Sequence, residues 1–145
     1  MFEYSSLGIY RSSASGKLLE VNQSFASMFG YESSEDIHDA VQYIPSQLYV
    51  DPKIREAIFD GFRNKQIKYA HKEIQFIKKD GSTFVGLLHM RVTNEEIVDD
   101  IIVEGYVQDI TKEKEAHEQV KESLIFLKEL MDNIPSPVYA KDKKL

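Results

Sequence analysis

The side chains best able to do chemistry are few and scattered. His38, His71, His89 and His117 are the acid–base candidates near neutral pH, and no two stand as the His-x-x-x-His pair that would turn two imidazoles onto one helix face for a metal. No cysteine occurs in the 145 residues. That removes disulfides, thiolate metal sites, cysteine nucleophiles and cysteinyl links to a cofactor. No glycine-rich phosphate loop is present. Glu95, Glu96, Asp99 and Asp100 crowd carboxylates together before a strand candidate, but four acids in a turn read first as a solvated surface. No catalytic residue and no metal ligand is assigned. The spacing that stands out is Asp109-Ile110-Thr111: a carboxylate and a hydroxyl at the foot of a long helical pattern. Either can cap that helix, and an acid at an exposed helix N-terminus is worth about 0.3–1 kcal/mol. The same bonds serve a plain cap or a small conformational switch.

These residues need elements to position them, and the pattern supplies them. Leu7 to Arg11 and Leu18 to Val21 read as short strands around a turn at Ser15-Gly16. Asn22 is an N-cap ahead of Phe25, Met28 and Phe29, with Gly30 as the C-terminal stop. Ser33 and Asp36 have the capping-box spacing, with Asp in place of Glu. Asp51-Pro52 starts a further helix whose apolar stripe is Ile54, Ile58 and Phe62. The period then changes to two. Ile74 and Phe76 lead into Asp80-Gly81, a strong hairpin signal. Phe84, Leu88, Met90 and Val92 share one face of the return strand, and a last strand runs from about Ile101 to Ile110, with the acidic residues as the loop between them. The expected fold class is α+β: a five-stranded antiparallel sheet with short helices on one face, plus a C-terminal amphipathic helix from Lys112 to Asn133. In that helix Val120, Leu124, Leu127, Met131 and Ile134 recur at spacings of 4, 3, 4 and 3. They form either a dimeric seam or a stripe that packs back on its own domain.

Composition bounds the rest. Residues 1–111 carry 11 Lys+Arg against 17 Asp+Glu, and residues 112–145 carry seven of each. A net charge of -6 argues against nucleic acid as a partner. The absence of a long apolar run argues against membrane contact, and the chain reads as cytoplasmic.

Four segments in this order resemble a PAS domain. Gly16 to Phe25 is similar to the family's second strand and first helix, Phe29-Gly30-Tyr31 to the end of that helix, Lys79 to Ser82 to its hairpin, and Gly105 to Thr111 to its last strand and Asp-Ile-Thr exit motif. Ile134 to Lys141 resembles the opening strand of another such domain and echoes Leu7 to Arg11. The resemblance implies residues 1–111 as a sensory domain, 112–133 as a linker or signalling helix, and 134–145 as the truncated start of a second repeat in a longer protein of bacterial type. It further implies a relay of ligand- or packing-induced change through Asp109, Thr111 and Lys112 to a downstream output domain in the same chain, a histidine kinase or a cyclic-dinucleotide enzyme. The alternative is a ligand-free dimerisation spacer. The fragment is not expected to be an enzyme. His117-Glu118 is only faintly similar to a phosphoacceptor box, because Gln119-Val120-Lys121-Glu122 follows it.

By the same resemblance, any ligand lies between the helices and the inner sheet face. The candidate lining is Phe25, Met28, Phe29, Ile44, Leu48, Ile58 and Phe62 on one side. Ile74, Phe76, Gly86, Leu88, Met90, Gly105 and Val107 line the other, with Gly86 and Gly105 leaving space unless large side chains plug it. The expected cofactor is none or an unidentified small molecule. Covalently linked flavin needs a cysteine, and haem in this family needs a histidine on or just before the third helix, where 44–65 has none. A noncovalent flavin finds few polar partners there. Ile77, Val85, Leu87, Ile102 and Tyr106 alternate onto the outer face as an apolar patch. With Val120, Leu124, Leu127 and Met131 they are the candidate interface of a homodimer.

Overall fold

The structure, a computed structural model, describes residues 7–97 and 100–132. The chain divides into two compact units, Met1–Thr111 and Lys112–Leu145. The first unit runs β1 (Gly8–Ser13), β2 (Leu18–Val21), α1 (Gln23–Met28), α2 (Ser34–Ala40), α3 (Ile44–Gln47), α4 (Pro52–Arg63), β3 (Tyr69–Ile77), β4 (Thr83–Ile97) and β5 (Asp100–Asp109). The five strands form one antiparallel sheet in the order β2-β1-β5-β4-β3. All four helices lie in the crossover between β2 and β3, so their apolar faces and one face of the sheet make a single core.

Local chemistry sets the boundaries. The Asn22 carboxamide oxygen accepts from Phe25 N at 2.9 Å and starts α1. Ser33 Oγ accepts from Asp36 N at 3.0 Å and starts α2; Asp36 answers by accepting from Glu32 N at 3.0 Å, one residue earlier than a capping box with Glu would reach. Asp51 caps α4 through Lys53 N, with Pro52 in the first position.

The expected pattern needs three corrections. The four-residue helix α3 is not foreseen, because one turn is too short to show a period. The acidic stretch is not all loop: Glu95 and Glu96 belong to β4 and Asp100 opens β5, with Glu96 opposite Ile101 across a register shift. Asp99 lies outside the described residues, as do the proposed repeat at 134–145 and Ile134 of the helical seam. Val92 shares a face with the core residues but is 37% exposed, at the open end of the sheet where it lines a groove with Phe62 and Ile67.

Helix α5 (Thr111–Asp132) starts at the last residue of the first unit and otherwise belongs to the second, and none of its residues is buried. No helix among the described residues is long and apolar enough to cross a membrane.

Candidate functional site

The space between helices and sheet is almost completely filled. Phe25, Phe29, Ile44 and Leu48 meet Phe76, Leu88, Met90 and Val107 around a void of about 20 Å³, room for about one water molecule. Aromatic side chains do most of the filling. The Phe25 and Phe29 rings stack at 4.5 Å, Phe29 meets Phe76 and Phe84 edge-on at 5.3 and 5.1 Å, and Tyr49 meets Phe76 at 5.1 Å. Ile58, Phe62 and Ile74 are buried in the same core without reaching the void, and Met28 is half-buried against it.

Gly86 and Gly105 leave no open space. A Cβ on Gly86 would come within 2.6 Å of the Phe76 ring and 2.8 Å of a Val107 methyl. A Cβ on Gly105 would lie 1.8 Å from the His89 carbonyl oxygen. Gly105 stands opposite both Tyr10 and Met90 in the sheet, and Tyr10 reaches across it to donate its hydroxyl to that carbonyl at 3.2 Å. Both glycines serve close approach rather than a cavity.

The polar side of the void is Arg55, Tyr10, Tyr49 and Ser12. Arg55 is only 2% exposed. Its Nη2 donates to the Ser13 carbonyl at 2.9 Å and to Ser12 Oγ at 3.3 Å, and its guanidinium lies 4.4 Å from the centre of the Phe59 ring. Burial pulls its pKa below the ordinary value, against the opposing pull of Tyr49, Tyr10 and Tyr43. Burial also pushes the Tyr49 phenol up to about 12 and Tyr10 well above its usual value. Sequence reasoning missed this group, although the signal was present. Arg55, Ile58, Phe59 and Phe62 have the i, i+3, i+4, i+7 spacing of one helix face.

The exit from the sheet is tied down at one place. Ile110 N donates to the Val85 carbonyl at 2.9 Å, and Val85 N donates to Thr111 Oγ1 at 3.0 Å. Asp109 Oδ1 accepts from Thr111 N at 3.0 Å, so the carboxylate caps while the threonine hydroxyl turns to the sheet. Lys112 is exposed and opens the second unit.

The family model described as PAS domain matches residues 6–112. The chain belongs to the PAS family. Solved PAS structures share its fold. The PAS domain of an HTR-like protein from Haloarcula marismortui is 24% identical, with a TM-score of 0.58 over 75% of this chain and 85% of that one. A PAS domain from Colwellia psychrerythraea is 23% identical, with a TM-score of 0.60 over 77% and 92%. The light-oxygen-voltage domain of a blue-light activated histidine kinase from Erythrobacter litoralis is 21% identical, with a TM-score of 0.55 over 74% and 98%. No curated protein matches the chain.

On the outer sheet face of this PAS domain, Ile77, Val85, Leu87 and Tyr106 are half-buried. Ile102 is different: it is 1% exposed within the single chain and adds nothing to an exposed patch. His89 lies between Tyr69 and Tyr106, stacked at 6.2 and 5.0 Å, with the His71 ring edge-on at 5.9 Å. The ion pairs Arg11–Glu20 and Arg91–Glu104 flank this row. On α5, Val120, Leu124, Leu127 and Met131 are 52–62% exposed, and Phe126 and Leu130 widen their stripe.

Proposed function

We propose that this PAS domain is a regulatory relay, in which a change in core packing alters the start of the C-terminal helix and so a downstream output domain. One observation carries the reading. Val85 holds the exit, and its neighbour Gly86 is where the core presses on the same strand. Phe76 and Val107 cover Gly86, Gly86 stands opposite Asp109, and Val85 bonds Ile110 and Thr111. A shift of the Phe76 ring therefore acts on the exit through a single peptide unit. A histidine kinase is the output that the fold relative from Erythrobacter litoralis supports. The protein works as a homodimer in the cytoplasm and is not itself catalytic.

A second reading, a ligand-free dimerisation spacer, is favoured by the void of about 20 Å³. Hydrogen–deuterium exchange on the 145-residue chain separates the two. Phe76→Leu frees volume over Gly86. It is expected to change exchange in the first two turns of α5 several-fold, and Thr111→Val is expected to remove that response. Unchanged α5 exchange in folded Phe76→Leu protein rejects the relay and leaves the spacer.

A further inference from the structure

Arg55 holds a positive charge inside the core, and everything that touches it is neutral. A guanidinium stays protonated in proteins. Its contacts are the Ser12 hydroxyl, the Ser13 carbonyl, the Tyr49 phenol and the Phe59 ring. Tyr10 and Tyr49 lie beside it, and their raised pKa values keep both phenols uncharged at neutral pH. Among the described residues no Asp or Glu pairs with it. A buried charge without a countercharge is costly, and native proteins rarely leave one so.

We propose that the void beside Arg55 is a binding site for one small monovalent anion, of the size of chloride, with the guanidinium as its countercharge. Charge selects an anion. Volume selects its size, because about 20 Å³ admits one water-sized body, and a larger group must displace Leu48, Met90 or Phe76. Chemistry selects the sign: the guanidinium lines the void, and the Ser12 hydroxyl, the Ser13 carbonyl and the Tyr49 phenol that bond it are neutral, so none of them cancels its charge. Sulfate is too large and doubly charged. This deepens the relay reading, since Phe76 lines the same void and covers Gly86.

The test uses the 145-residue chain at constant ionic strength, with sodium gluconate replaced by chloride or bromide. Tenfold saturation by a site ligand raises the midpoint of a domain this size by about 4 °C. That rise is expected for the wild type with chloride and with bromide, and not for Arg55→Met, which keeps the bulk and loses the charge. Bromide in crystals of the wild type is expected to give an anomalous peak beside the guanidinium, which decides the matter even if Arg55→Met does not fold. Equal midpoints in gluconate, chloride and bromide, equal rises in both proteins, or crystals with no bromide peak at Arg55 overturn the proposal. The outcomes stay distinct from those of the relay. Bromide on Arg55 with unaltered α5 exchange keeps the site and rejects the relay. No anion, with α5 exchange still responding to Phe76→Leu, does the reverse.

Discussion

Gly86 and Gly105 occupy equivalent-looking places on adjacent central strands, yet they tolerate a methyl group very differently. At Gly86 the added Cβ meets the edge of the Phe76 ring and one methyl of Val107, side chains that can turn by a few tenths of an ångström. At Gly105 it meets the backbone of β4, at 1.8 Å from the His89 carbonyl oxygen, and backbone cannot turn away without breaking the ladder. Gly86→Ala is therefore expected to cost about 1–3 kcal/mol as ordinary overpacking, and Gly105→Ala more than about 4 kcal/mol. Urea denaturation of both variants measures this. A Gly105→Ala protein as stable as Gly86→Ala would show that the strands part more easily than their pairing implies. Residue-level features with local causes were the legible ones in the sequence: Asn22, Ser33 and Asp51 all cap where their types and spacing placed them. Arg55 was not legible in the same way. Its burial is set by Ser12, Ser13 and Tyr49, which join it only after the sheet and helices meet.

The β3–β4 hairpin shows how an element can be stabilised by a fully exposed group. Asp80 Oδ1 accepts from Ser82 N at 2.9 Å and from Ser82 Oγ at 2.6 Å, and these bonds hold its carboxyl below the usual carboxylate range. A depressed folded pKa means that the carboxylate stabilises the turn above the unfolded value, and that this contribution is lost as pH falls through the folded one. In an NMR titration the Asp80 side-chain carboxyl is expected to have a midpoint below that of the same group in Ser82→Ala. Coincident midpoints would show that the turn does not depend on these bonds. The hairpin itself was legible from Asp80-Gly81, as were the change of period at Ile74 and the long helix after Thr111. Helix α3 was not, because Ile44 to Gln47 completes only one turn and is held by tertiary bonds such as Ile44 N to the Gly16 carbonyl at 2.8 Å. Glu95 and Glu96 misled for a related reason. Their charge suggested a loop, while pairing with β5 across a register shift carries β4 to Ile97.

At the scale of the whole molecule, two apolar surfaces could join copies of the chain, and they lie on different units. One is the outer sheet face with Ile77, Val85, Leu87 and Tyr106; the other is the stripe on α5 with Leu124 and Leu127. A twenty-two-residue helix with a wide apolar stripe and no buried residue gains little from propensity alone, so a partner for that stripe would supply most of its stability. The sheet face has less to gain, since its apolar residues are already half-buried and ion pairs rim it. Sedimentation of the wild type is expected to give twice the chain mass of 16.7 kDa at micromolar concentration. Leu87→Lys puts an unpaired ammonium at the centre of the sheet face, and desolvating it would cost about 3 kcal/mol or more, so a dimer that uses this face weakens at least a hundredfold. The pair Leu124→Lys and Leu127→Lys does the same to the helical seam. A molecule that dissociates with either change needs both surfaces in one interface. A dimer that survives Leu87→Lys and falls apart with the helical pair is held by α5 alone, and the sheet face then has no part in the assembly.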